Sequence, residues 1–307
     1  MKLADRAASH ISVLLKMLPG WNFTVYQMMT SIRLSAICFK CQENMKVIVS
    51  RGMSGRLLPG WPGIRNRASK KWWYFVFAPE LRYLEDFRPK LNRCIHLQCA
   101  AGTDTLSLLN YGAKEVVGID ISEEMLRIAK MKSDALNANA RWIHSDILSV
   151  PASLNGSADF IYTGKGAINW MMDIDAWAAV VARLLKPDGL LYLFEGHPIT
   201  YCFDMKASEL KIDPVYQGYF SEVPYASQDW PGSYVGKLKD NENEQATKYE
   251  KAWPVSRVIT ALLNAGFGLE KFEEHPEKFW DEFPHLPDEL RQRFPNTYSV
   301  VARKSAT

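Results

Sequence analysis

Three residues of this chain stand where an α/β sheet could use them for chemistry. Gly102 closes Cys94-Ile95-His96-Leu97-Gln98-Cys99-Ala100-Ala101-Gly102, an apolar run that ends in small residues. Asp120 ends Val116-Val117-Gly118-Ile119-Asp120, 18 positions after Gly102, and Asp146 follows His144-Ser145. A small-residue turn that opens a helix offers unpaired backbone N–H groups to an anionic group. A carboxylate ending the next strand accepts hydrogen bonds from two ribose hydroxyls, and one further along accepts from an exocyclic amine. The chemistry implied is retention of an adenosine-bearing cofactor. Gly102 is the only glycine of the turn, and Ala100 and Ala101 stand where a dinucleotide fingerprint needs glycine. A pyrophosphate is poorly served there, so a cofactor without phosphate fits better.

Proton-transfer candidates lie further along. In Glu195-Gly196-His197-Pro198 the imidazole of His197 titrates near neutrality, and Glu195 could orient it. Asn169 and Tyr201 belong to the same sheet edge in this reading, as does Trp170. The plainer alternative for His197 is that it shapes the turn before Pro198.

These positions need a sheet to bring them together. Strands are expected at Cys94–Gln98, Glu115–Asp120, Ala140–His144, Phe160–Thr163, Leu190–Glu195, Leu269–Glu274 and Thr297–Arg303, with helices between most of them. Ser122 caps one helix, whose first turn carries Glu123 and Glu124 and so suits the helix dipole. Asp175–Leu185 places Trp177, Val180, Val181, Leu184 and Leu185 on one face before Lys186-Pro187-Asp188-Gly189 stops it. Helices are also read at Pro254–Asn264 and, with proline in its first turn, at Pro79–Phe87. Such alternation implies a mostly parallel sheet covered on both faces. It pauses over residues 197–252, which are rich in aromatic rings. This insertion reads as a substrate lid, with an antiparallel extension packed on the sheet as the alternative.

The 307 residues suffice for one large domain with an appendage, and 47% apolar content supports a proper core. A net charge of +3 gives no argument for nucleic-acid binding. Residues 1–71 hold twelve Lys/Arg against Asp5 and Glu43, a balance of +10 that leaves −7 for the rest. This segment, taken as 1–75, fits a transit peptide, a tail, or a stretch outside the domain at 76–307. Cytoplasmic location is expected, with an organelle as the alternative. No run of about 18 apolar residues suggests a membrane span. Five cysteines make no disulfide framework, and Cys38-Phe39-Lys40-Cys41 lacks the second ligand pair of a zinc site.

At these residues the chain resembles the class I S-adenosylmethionine-dependent methyltransferases, over about residues 90–307. His-Leu-Gln-Cys-Ala-Ala-Gly-Thr-Asp-Thr-Leu-Ser-Leu (96–108) is similar to the first motif of a small-molecule subgroup. Val-Val-Gly-Ile-Asp-Ile-Ser (116–122) and Ser145-Asp146-Ile147-Leu148 resemble the second and third motifs. Tyr162–Trp170, Leu184–Leu190 and Phe294–Ser299 resemble the later segments in order. The resemblance implies a Rossmann-like seven-stranded sheet with its last strand antiparallel. It implies S-adenosyl-L-methionine as cofactor, held by Gln98, Cys99, Ala100, Gly102, Asp104 and Thr105 around the first turn. Asp120, Ile121 and Met125 would follow for the ribose; Ser145, Asp146 and Ile147 would flank adenine, with Thr163 beside the methionine part. Methyl transfer would involve His197, Glu195 and Asn169, with Trp170 and Tyr201 touching a small-molecule acceptor. A monomer or homodimer is expected, with no nucleic acid, membrane or metal.

Two departures stand out. His96 occupies the position usually held by an acid, and Gln98 that of the first glycine. The contact to the cofactor's ammonium then falls to Gln98 or to a carbonyl near Thr163. Residues 1–75 also do not resemble the helices that normally precede the sheet. These departures favour the rival reading, an inactive descendant that binds or scaffolds. A nicotinamide dehydrogenase is disfavoured by the missing glycines.

Overall fold

The computed structural model describes residues 78–214, 218–221, 223–227 and 247–306. The basic segment 1–75, the Cys38/Cys41 pair and the middle of the insertion lie outside the described residues.

Seven strands form one sheet: β1 (Arg93–Leu97), β2 (Glu115–Asp120), β3 (Ala140–His144), β4 (Ala158–Gly164), β5 (Leu185–Gly196), β8 (Phe267–His275) and β9 (Thr297–Lys304). Their order is β3-β2-β1-β4-β5-β9-β8. The first five pair in parallel, whereas β9 runs antiparallel to β5 and to the edge strand β8. The fold is thus the expected Rossmann-like sheet, mostly parallel, with the last strand in the chain reversed. The residual strands of the insertion, β6 (Tyr225–Ser227) and β7 (Lys248–Glu250), pair antiparallel in a separate small sheet.

The central strands read as continuous apolar runs because both of their faces are covered. On one face, α1 (Ala78–Phe87) and α2 (Thr103–Asn110) bring Tyr83, Leu84 and Leu108 against Cys94, Phe160, Tyr162 and Tyr192. On the other, α4 (Ile174–Leu184) and α5 (Val255–Asn264) bring Trp177, Val181, Val258 and Leu262 against Ile95, Ile119, Ile161 and Leu191. Ser122 caps α3 (Glu123–Leu136) as its sequence suggests, its hydroxyl accepting from the Met125 N–H at 3.3 Å. The Lys186–Gly189 turn is absorbed into the start of β5, with Asp188 left-handed at φ 61°.

The order reverses between β1 and β4. The chain leaves β1 toward β2 and later returns to β4 on the other side of β1, so the loops after these two strands diverge. A crevice opens there at the carboxyl ends of the strands, the place where open α/β sheets take ligands.

Candidate functional site

The turn after β1 alternates its handedness. Gln98, Ala100 and Gly102 have φ of 56°, 44° and 71°. Left-handed backbone costs a residue with a Cβ about 1–2 kcal/mol, so Gln98 and Ala100 hold a conformation suited to glycine. The turn is fastened from several sides. Cys99 N–H donates to Ile119 O at 3.0 Å, and Lys132 of α3 donates to Ala101 O at 2.8 Å and Thr103 Oγ1 at 2.6 Å. Gly102 ends the turn as the N-terminal flank of α2, without a side-chain cap. A Cβ on it would overlap the Trp142 indole and Ala129, and one on Gly118 would overlap the same indole. Trp142 is itself fixed by donating to Ser133 Oγ at 3.0 Å. Both glycines are therefore required by packing.

Asp120 sits at the end of β2, as expected. Its Oδ2 accepts from Ala100 N–H and its Oδ1 from Ser122 N–H, each at 2.8 Å. In the sequence, Ser122 relieved Asp120 of a capping role; the structure gives the carboxylate a turn-holding role as well. It ties the turn after β1 to the turn after β2, and each oxygen keeps a further lone pair. Burial pushes its pKa up, opposed by these backbone hydrogen bonds. Ile121 and Met125 follow, half-buried. On the third strand's end, Ser145 N–H donates to Asp120 O at 3.0 Å. Asp146 Oδ1 accepts from Leu148 N–H at 2.7 Å, and Ile147 is buried in the core beside it.

His96 is buried, and its Nδ1 lies 2.7 Å from Thr105 Oγ1. Burial drives its pKa down to about 4, with Asp104 raising it and Lys165 lowering it by smaller amounts. The position usually held by an acid therefore carries a neutral ring. Charge nearby comes instead from Lys165, whose ammonium lies 3.0 Å from Asp104 Oδ1 and 3.3 Å from Glu80 Oε2. Tyr162 OH donates to the other Glu80 oxygen at 2.6 Å. Burial disfavours the Lys165 charge, but Asp104 and Glu80 outweigh it and its pKa rises.

Glu195 and His197 are not a pair. The buried Glu195 carboxylate accepts from Gly166 N–H at 2.6 Å and Ile168 N–H at 3.0 Å, and so clamps the loop after β4. Burial raises its pKa to about 7 despite these backbone bonds. His197 is held by Glu274 of β8, Nε2 to Oε1 3.0 Å, while its Nδ1 accepts from Ile199 N–H at 3.2 Å. The expectation that Glu195 orients His197 is corrected: the antiparallel β9 brings β8 beside the site, and strand neighbours in space displace neighbours in sequence. The imidazole caps the turn through Pro198–Cys202 and lies near Tyr219 and Tyr298, with ring centroids at 6.4 and 5.9 Å.

Asn169 is buried in the loop after β4, and its Nδ2 lies 2.5 Å from Tyr201 OH. Trp170, half-buried, is next to it. The insertion closes onto this loop from both ends. Lys251 N–H donates to Asn169 O at 2.8 Å, and Trp253 Nε1 donates to Met171 O at 2.8 Å.

These residues suit an adenosylated amino acid. Gln98 donates through Nε2 to Ala167 O at 2.6 Å, yet its Oε1 is buried with no partner among the described residues, as is Thr163 Oγ1. Both stand at the ends of the two strands that flank the crevice, and each can accept from an ammonium. No group of metal-ligating side chains occurs among the described residues, and none of their helices is long and apolar enough to cross a membrane. Sequence reasoning missed Glu80, Trp142 and Glu274. Nothing local marks Glu80 or Glu274, whereas a left-handed lysine between Gly164 and Gly166 was at least flanked by a signal.

Residues 95–189 match the model of a methyltransferase domain. YqeM of Bacillus subtilis (strain 168), a protein provisionally named a methyltransferase, is 26% identical over 206 residues, covering 62% of this chain and 79% of that protein. Demethylmenaquinone methyltransferase of Staphylococcus saprophyticus is 33% identical over 159 residues, 51% of this chain and 61% of its own length. This chain thus spans about three fifths of that relative. Among solved structures, an S-adenosylmethionine-dependent methyltransferase from Mesorhizobium loti superposes with TM-score 0.52 at 23% identity, covering 74% of this chain and 98% of that one. One from Methanosarcina mazei gives 0.51 at 17% identity, covering 73% and 98%. Residues 95–189 thus match a methyltransferase-domain model, and the described sheet has the Rossmann-like fold of the solved S-adenosylmethionine-dependent methyltransferases that superpose on it.

Proposed function

We propose that this protein transfers a methyl group from S-adenosylmethionine to a small-molecule acceptor. One observation carries the reading. At the order reversal, a left-handed turn, the Asp120 carboxylate and two buried unpartnered oxygens, Gln98 Oε1 and Thr163 Oγ1, stand at adjacent strand ends. Asp120 would hold the ribose hydroxyls, Asp146 the adenine amine, and Gln98 with Thr163 the ammonium. The donor supplies an electrophilic methyl on a sulfonium, so the chain's task is alignment and, where the acceptor requires it, proton removal. Asn169 and Tyr201 lie where the loop after β4 meets the insertion, and they would position the acceptor. Location in the cytoplasm, and action as a monomer or homodimer, complete the proposal.

The demethylmenaquinone methyltransferase relative supports a small organic acceptor rather than a macromolecule. The test is incubation with methyl-labelled donor and a metabolite extract, with label followed into small-molecule and macromolecular fractions. Label confined to protein or nucleic acid refutes the reading.

A non-catalytic binding role has one observation in its favour. His197 has both ring nitrogens engaged and Glu195 is sealed behind the loop it clamps, so neither is free to act as a base. Tight donor binding without any turnover would select that role.

A further inference from the structure

We propose that Lys165 and Asp104 together recognise the amino-acid end of the methyl donor, Lys165 taking its carboxylate and Asp104 its ammonium. This rests on the donor named above. The amino-acid end is a zwitterion, and its complement is an anion and a cation set side by side. Asp104 and Lys165 are such a couple, 3.0 Å apart. Asp104 lies in the first turn of α2, directly after the Gly102 turn, and Lys165 follows the end of β4. They approach the crevice from the two strands that flank it.

Three observations separate this couple from a structural ion pair. First, both side chains keep some exposure, 27% for Asp104 and 11% for Lys165, whereas Glu80 behind them keeps 1%. The pair with Lys165 uses only Oδ1 of Asp104, and Glu80 braces Lys165 from the far side. Second, Lys165 holds a left-handed backbone at φ 61°, strain that a mere tether would not need and that clusters at binding sites. Third, Glu80, Asp104 and Lys165 sum to one negative charge, and the neutral His96 adds none. The donor, with sulfonium, ammonium and carboxylate, carries one positive charge. The cluster thus supplies the anionic character that the sequence lacks at position 96, and Thr163 Oγ1 and Gln98 Oε1 remain beside it as further acceptors.

The test is calorimetric binding to the full chain of two probes, S-adenosylmethionine and 5′-methylthioadenosine. The second keeps the adenosine and the sulfur but lacks the amino-acid end. Lys165→Met and Asp104→Asn should each weaken S-adenosylmethionine by about tenfold or more, the effect of losing one charge-assisted hydrogen bond. Each should leave methylthioadenosine within about twofold, and Lys165→Arg should retain the preference for the longer ligand. Equal weakening of both probes would mean that the couple merely holds the crevice, and would overturn the proposal. So would unchanged S-adenosylmethionine affinity in both variants, with the donor reading left standing. A wild-type chain that binds neither probe would overturn both. Should Lys165→Met fail to fold, Asp104→Asn and Lys165→Arg decide the outcome alone.

Discussion

Asp120 is placed to do two separable jobs, and Asp120→Asn tests both. In the protein without donor, its two oxygens each accept one backbone N–H at 2.8 Å, from Ala100 and from Ser122. Asparagine keeps one acceptor and turns an NH2 toward the other donor. One charge-assisted bond is lost, at about 1.5–3 kcal/mol. For a folded unit of this size that corresponds to a fall in Tm of roughly 3–12 °C. In the complex, the same carboxylate would accept from the ribose, and the loss of that contact is worth a similar amount, about 10- to 100-fold in Kd. Denaturant unfolding gives the first quantity, and calorimetry on the folded variant gives the second. A stability loss with unchanged Kd for S-adenosylmethionine would show a turn-holding residue only, and would refute the ribose assignment. Unchanged stability would refute the bridge between the two turns. Burial raises the pKa of Asp120, so donor affinity should weaken as pH falls through that raised value, at a higher pH than for an ordinary aspartate.

Other expectations follow from the same geometry. Gly102→Ala should destabilise the fold by about 2 kcal/mol or more, because φ is 71° and the new Cβ meets Trp142; Trp142→Phe should recover part of it, read by urea unfolding. For Glu195, the folded pKa of about 7 lies above its ordinary 4.5, so the folded state holds the proton more tightly. Its contribution is full below pH 4.5 and is lost as pH rises through 7, about 3 kcal/mol in all. Glu195→Gln should remove that decline, and parallel stability curves for the two proteins would refute it. Tyr201→Phe and Asn169→Ala should lower turnover while donor Kd stays within about twofold, since their contacts lie between the β4 loop and the insertion. Glu274→Gln should cost less than about 1 kcal/mol, its side chain being half exposed, and any larger loss in thermal unfolding would contradict the present reading of its bond to His197.

The sequence by itself determined the sheet and the identity of its strand-end residues. Strand and helix periods and caps such as Ser122 are local quantities, and local quantities are legible in a linear chain. Asp120 and Asp146 were legible for the same reason, as carboxylates ending apolar runs. What each side chain touches was decided by tertiary structure. His197 pairs with Glu274 and not with Glu195, because β9 inserts beside β5 and carries β8 with it, 77 residues away in the chain. Gly102 is required by an indole from β3, forty positions on, which no turn rule contains. The negative charge missing at His96 reappears on Asp104 and Glu80, countered by Lys165, three residues from three separate parts of the chain. Electrostatic balance in a buried site is summed over neighbours in space, and the folded sheet alone makes Glu80, Asp104 and Lys165 neighbours.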